Sequence, residues 1–110
     1  MTHETNARIS HRSGYNCAQA VMVAYASELD LSPIAAMKLA PAPRSAGGKC
    51  GAYLAGLALL NELKPEAMRE YEQAFLRENG STECKRLRIS GIPCNDLVGC
   101  AARLLEDLIQ

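Results

Sequence analysis

Four of the five cysteines in this 110-residue chain share one placement. They lie in Gly14-Tyr-Asn-Cys17, Gly48-Lys-Cys50, Gly80-Ser-Thr-Glu-Cys84 and Gly91-Ile-Pro-Cys94, each a few residues after a glycine and just before a helix-like apolar stretch. A helix N-terminus presents unpaired N–H groups and the positive end of the macrodipole. A thiol there ionises more easily, from about 8.5 when free to roughly 3.5–7.5 in favourable settings. The thiolate is both a nucleophile and a metal ligand, so the expected chemistry is that of sulfur, carried by Cys17, Cys50, Cys84 and Cys94.

Charged neighbours sharpen that expectation. Lys49 precedes Cys50 with Arg44 close by, and Lys85 and Arg86 follow Cys84, where Glu83 acts against them. Positive neighbours favour the thiolate, which makes Cys50 the expected attacking sulfur; its resolving partner stays unassigned among the other three, with Cys17 preferred. Helical spacing sets Cys17 with Ala20, Val21 and Ala24, Cys50 with Leu54 and Leu57, and Cys94 with Leu97, Val98 and Ala101. Each sulfur thus heads a stripe that turns inward. They meet either as one group or as two pairs at opposite ends, because spacing does not fix helix directions. Cys100 stands apart: six residues after Cys94, it is turned about 240° away, and packing is its expected role.

Other chemistries find less support. Four thiolates suit zinc or an iron–sulfur cluster, yet the chain has no CxxC, and His3 and His11 both fall in a polar N-terminal stretch. The loop Arg44-Ser-Ala-Gly-Gly-Lys49 fails as a phosphate loop: Pro43 stands where the first glycine belongs, and Cys50 follows the lysine. No Ser–His–Asp set, carboxylate pair or metalloprotease motif can be assembled.

The elements that would position the sulfurs are helices. Alanine and leucine dominate the apolar content, aromatic residues make up 5%, and no strand-like alternation persists. The pattern predicts helices over residues 15–29, 33–39, 50–63, 65–79 and 95–109, with a short turn around Cys84. Caps are available at Ser13 or Asn16, at Ser32 before Pro33, and at Gly80. The helix over 50–63 is apolar almost all round and should be central. Its Gly51, Ala52, Ala55 and Gly56 would let neighbouring backbones approach closely. The expected fold is all-α, a compact helical bundle of about five to six helices with no sheet. Residues 1–13 read as a weakly ordered polar arm and 14–110 as a single helical domain.

Twelve basic and twelve acidic residues balance to zero net charge. That argues against nucleic acid as a partner and removes attraction to anionic membranes. The first residues carry no apolar signal-like run, and the longest apolar run, 52–60, is too short to span a bilayer. The expected location is therefore cytoplasmic, where thiols stay reduced.

The order of these cysteines resembles the C-GCAxxG-C-C family of redox-active proteins. The residues that carry the resemblance are Asn16-Cys17-Ala-Gln-Ala-Val21, Cys50-Gly51-Ala52, Gly80-Ser-Thr-Glu-Cys84, and Cys94 leading into Leu97-Val98 and Ala101-Ala-Arg-Leu-Leu-Glu106. Together they span most of the chain. The resemblance implies an all-helical domain whose defining cysteines correspond to Cys17, Cys50, Cys84 and Cys94. Selenocysteine in some relatives suits a redox nucleophile, and similar modules joined to haem regions in some cytochromes point to electron transfer. The chain departs from the pattern at Ala55, where the family has glycine and this chain has Gly56 one later. It departs also at Lys49, and Cys100 is extra. The leading expectation is thiol/disulfide or electron-transfer chemistry with a redox partner protein that the resemblance does not supply. The alternatives are a non-catalytic module holding zinc or an iron–sulfur cluster on the same four cysteines, and a helical interaction domain that forms a homo-oligomer with inert thiols.

Overall fold

Apolar stripes decide which helices are central. The computed structural model describes residues 2–109. In chain order the helices are α1 (His3–Arg12), α2 (Cys17–Ala24), α3 (Pro33–Lys38), α4 (Ser45–Gly48, a single kinked turn), α5 (Gly51–Leu63), a 3-10 turn (Pro65–Ala67), α6 (Met68–Asn79), α7 (Cys84–Ile89) and α8 (Cys94–Ile109). The fold is all-α as expected. Among the described residues no strand forms, and one isolated antiparallel bridge joins Lys49 to Glu83. No helix among them is long and apolar enough to cross a membrane.

The helix that is apolar all round is indeed the centre. Ala52, Ala55, Leu59 and Leu60 of α5 are fully buried, and α5 packs against α2, α6 and α8. α8 turns Leu97, Val98, Ala101, Leu104 and Leu105 inward, the stripe its sequence predicts. α6 buries Tyr71 and Phe75 against α5 and leaves its charged face outside. Local signals set several ends. Asn16 and Gln19 form a reciprocal capping box at the start of α2, Ser32 caps α3 ahead of Pro33, and Gly80 ends α6 with a left-handed φ of 84°. α2 stops at Ala24, earlier than the stripe predicts, and continues as turns to Asp30.

The small residues of α5 admit side chains, where backbones were expected. A Cβ on Gly56 would fall 2.1 Å from Tyr71 Oη, so the Tyr71 ring lies directly on the helix backbone there. Its hydroxyl donates to the Tyr53 carbonyl at 3.1 Å.

The N-terminal stretch corrects the sequence reading. Residues 3–12, expected to be part of a weakly ordered arm, form a ten-residue helix capped by Thr2 and packed along α8. Periodicity missed it because the seam is polar. Only Ala7 is buried on α1. Arg8 instead bonds Glu4 within its own helix and Asn95 and Asp96 of α8, with its guanidinium seated against Gly99. His3, in that polar stretch, is held between Glu106 at 2.6 Å and Glu28 at 2.5 Å, and stacks on Tyr25 with ring centroids 4.1 Å apart. His11 meets the Asn95 amide at 3.1 Å.

This seam should respond to pH. Burial opposes the charge on His3, but hydrogen bonds to Glu106 and Glu28 outweigh it and raise the imidazole pKa above 6.5. The folded state then binds more proton than the unfolded chain. Its contribution is complete below about pH 6.5 and is lost as pH rises through the folded value. The unfolding temperature should therefore fall as pH is raised across neutrality, and His3→Gln should flatten that slope. Equal slopes for the two proteins in melts between about pH 5.5 and 8.5 would remove His3 as the cause.

Candidate functional site

Four helix starts converge on one cavity. Cys17 opens α2, Cys50 is the N-cap of α5, Cys84 opens α7 and Cys94 opens α8. All four line a cavity of about 130 Å³, together with Pro43, Arg44, Gly51, Leu87, Arg88, Ile92 and Leu97. Of the two arrangements left open by spacing, the protein adopts the single group. Helix direction decides this, and only packing of the whole chain sets it.

Two local devices hold the sulfurs in place. The first joins the segments before Cys50 and Cys84. The Cys50 N–H donates to the Thr82 carbonyl at 2.8 Å, and Lys49 Nζ donates to Thr82 Oγ1 at 3.0 Å, beside the Lys49–Glu83 bridge. The second brings Cys17 onto the first turn of α5. A Cβ on Gly51 would stand 2.5 Å from Cys17 Sγ and 3.1 Å from Pro43 Cβ. The glycine after Cys50 is thus the opening through which the Cys17 sulfur reaches the helix end. Arg44, Ala46, Gly47 and Gly48 all take positive φ, and the Arg44 N–H donates to the Lys49 carbonyl at 3.0 Å. The loop folds back on itself and returns Pro43 and Arg44 to the cavity wall.

The four sulfurs differ in access. Cys94 is exposed, Cys17 and Cys84 are half-buried, and Cys50 is only 4% exposed. This gradient overturns the expected ease of ionisation at two of them. Burial pushes the Cys50 thiol up to about 11, against the lowering effect of the Tyr53 and Ala52 N–H groups. Burial likewise raises Cys17, helped by the Cys94 thiol and opposed by the N–H groups of Ala18 and Ala52. The helix N-termini do point at these sulfurs, and desolvation outweighs them. Lys49 does not rescue Cys50: its ammonium is turned toward Thr82 and does not line the cavity. Cys50 is therefore not the pre-activated sulfur that its flanking lysine suggested.

Cys17 and Cys50 share a backbone donor. The Ala52 N–H is directed at both Cys17 and Cys50. Cys94 and Cys84 both raise Cys17, and Cys17 and Cys84 both raise Cys50.

Cys100 lies outside this group. It is buried between α8 and α6, where its thiol donates to Glu78 Oε2 at 2.9 Å and accepts from Asn79 Nδ2 at 3.5 Å. Arg103 closes the arrangement by pairing with Glu78. Burial and the Glu78 carboxylate push this thiol up to about 11, so it is a hydrogen-bonded core thiol and not the plain hydrophobe expected.

The metal alternative needs sulfurs about 2.3 Å from one common point. Among the described residues no three of His, Cys, Asp and Glu are placed to hold a metal ion. Lys85 and Arg86, expected beside Cys84, do not reach the cavity wall, and Arg86 pairs with Glu83 at 3.4 Å. Arg88 does reach it, and sequence reasoning missed it. The signal was available: Cys84 and Arg88 are four apart and share a face of α7. Thr82, which ties the two cysteine segments together, had no such signal.

No curated protein and no solved structure matches the chain. A family model does, over residues 15–108, and it covers all four cavity cysteines. That family is described as "putative redox-active protein (C_GCAxxG_C_C)", and this chain belongs to it.

Proposed function

We propose that the protein is a thiol–disulfide redox protein in which Cys94 attacks and Cys17 resolves. The observation that carries this reading is one cavity lined by four cysteines whose exposure grades from Cys94 at the surface to Cys50 in the core. Disulfide exchange needs an accessible thiolate for attack and a second thiol within reach. In the first step the Cys94 thiolate attacks one sulfur of a disulfide, the S–S bond breaks, and one thiolate leaves and takes up a proton. In the second, Cys17 loses its proton and attacks the Cys94 sulfur. A Cys17–Cys94 disulfide forms and the second thiol leaves. Two electrons pass from the protein to the substrate, and a dithiol reductant restores the starting state. This cycle suits a reducing compartment such as the cytoplasm.

Mild oxidation followed by peptide mapping tests the assignment. Cys17–Cys94 is the disulfide expected first. A first disulfide between Cys50 and Cys84 would reassign the working pair. Stoichiometric metal in protein purified without oxygen would replace the redox reading with the zinc or iron–sulfur one.

A further inference from the structure

The cavity wall carries two charged side chains, Arg44 and Arg88, and no carboxylate. Among the described residues neither guanidinium has a hydrogen-bond or ion-pair partner. Elsewhere three arginines pair with acids, Arg8 with Glu4 and Asp96, Arg86 with Glu83, and Arg103 with Glu78, while Arg12, Arg69 and Arg77 carry no such pair among the described residues and do not line the cavity. The zero net charge of the whole chain therefore hides a local positive field at this mouth. The rest of the wall is apolar, with Leu87, Ile92 and Leu97 facing the sulfurs. At about 130 Å³ the space is below the roughly 300–1,000 Å³ of a drug-sized site, which suits one short arm of a small molecule.

Two arginines approach from different elements, Arg44 from the loop before α5 and Arg88 from α7. Guanidinium forks match carboxylates and similar oxyanions. We infer that the substrate is a small disulfide carrying an anionic group beside its S–S bond, steered by Arg44 and Arg88 onto Cys94. This rests on the redox reading above and adds the substrate class. The exchange is the one already written: each anionic half leaves as a thiol, and the protein holds the new disulfide.

A charge series tests it. Reduced protein is oxidised with dithiodiglycolate, 2-hydroxyethyl disulfide and cystamine, which bear negative, zero and positive charge around the same bond. Normalised to their rates with uncharged 2-mercaptoethanol, which corrects for their leaving thiols, the anionic probe should react about tenfold faster than the cationic one at low ionic strength, and added salt should narrow the gap. In the double variant Arg44→Gln/Arg88→Gln the normalised ratio should fall toward one. A second measurement does not need redox turnover: alkylation of Cys94 by iodoacetate against iodoacetamide, in both proteins. The iodoacetate-to-iodoacetamide ratio should drop in the variant. Rates independent of charge, or a preference that survives the double substitution, overturn the inference. If no disulfide oxidises the protein, the redox reading falls and the assigned substrate with it, while the alkylation ratio still decides whether the two arginines attract anions.

Discussion

Cys94→Ser should slow oxidation of the reduced protein by a small disulfide at least ~100-fold, because it removes the thiolate proposed to attack. Cys94 is the exposed member of the four, and the other three offer slower routes. Cys50 is buried, with its thiol pushed up to about 11, so near neutral pH it is almost wholly protonated. Cys17 is half-buried and also raised. Cys17→Ser should behave differently. Attack at Cys94 would proceed, resolution would fail, and intact-mass measurement should find a mixed disulfide heavier by one half of the probe. Cys50→Ser should leave the first oxidation near its original rate. If instead Cys50→Ser abolishes the reaction and Cys94→Ser spares it, the flanking lysine was the better guide and the exposure gradient the worse one.

Gly56→Ala should lower folding stability by roughly 2–4 kcal/mol, the sum of an overpacking term of about 1–3 kcal/mol and about 1 kcal/mol for a displaced hydrogen bond. The added methyl would meet Tyr71 Oη at 2.1 Å, a fully buried ring that also stacks on Tyr53 with centroids 5.5 Å apart. Phe75 packs against both tyrosines and hems the ring in on a further side. Tyr71→Phe keeps the ring and loses only the hydroxyl, so it should cost about 1 kcal/mol. Urea midpoints with unchanged slopes measure both effects. An unchanged midpoint for Gly56→Ala would show that Tyr71 moves aside freely. The pair also gives a reason for the departure from the family pattern at Ala55. The glycine this chain needs is the one under Tyr71, and Ala55 is itself fully buried without it.

Much of the frame was legible in advance because it is written in apolar periodicity. α5 and α8 bury the faces their sequences predict, and Asn16, Ser32 and Gly80 cap where their types suggest. α1 was not legible, since ion pairs and a lone alanine hold it and these leave no hydrophobic repeat. The identity of the sulfur-bearing helix starts was likewise readable, and their meeting in one cavity was not. That depends on which way each helix runs. The direction of the thiol shifts was misread at Cys17 and Cys50 for a simpler reason. Spacing places a sulfur at a helix start but does not say how much protein covers it, and at both sites the cover outweighs the N–H groups. Lys49 failed as a predictor because a long side chain next to a cysteine need not point at it.

The position of Cys17 against the start of α5 has a consequence in valence. A sulfur can belong to one disulfide at a time. Cys17 lines the cavity with exposed Cys94 and shares the Ala52 N–H with buried Cys50. Bonding outward therefore forbids bonding inward. Under the proposed pairing, a Cys17–Cys94 disulfide would leave Cys50 and Cys84 as the remaining thiols of the cavity, one buried and one half-buried.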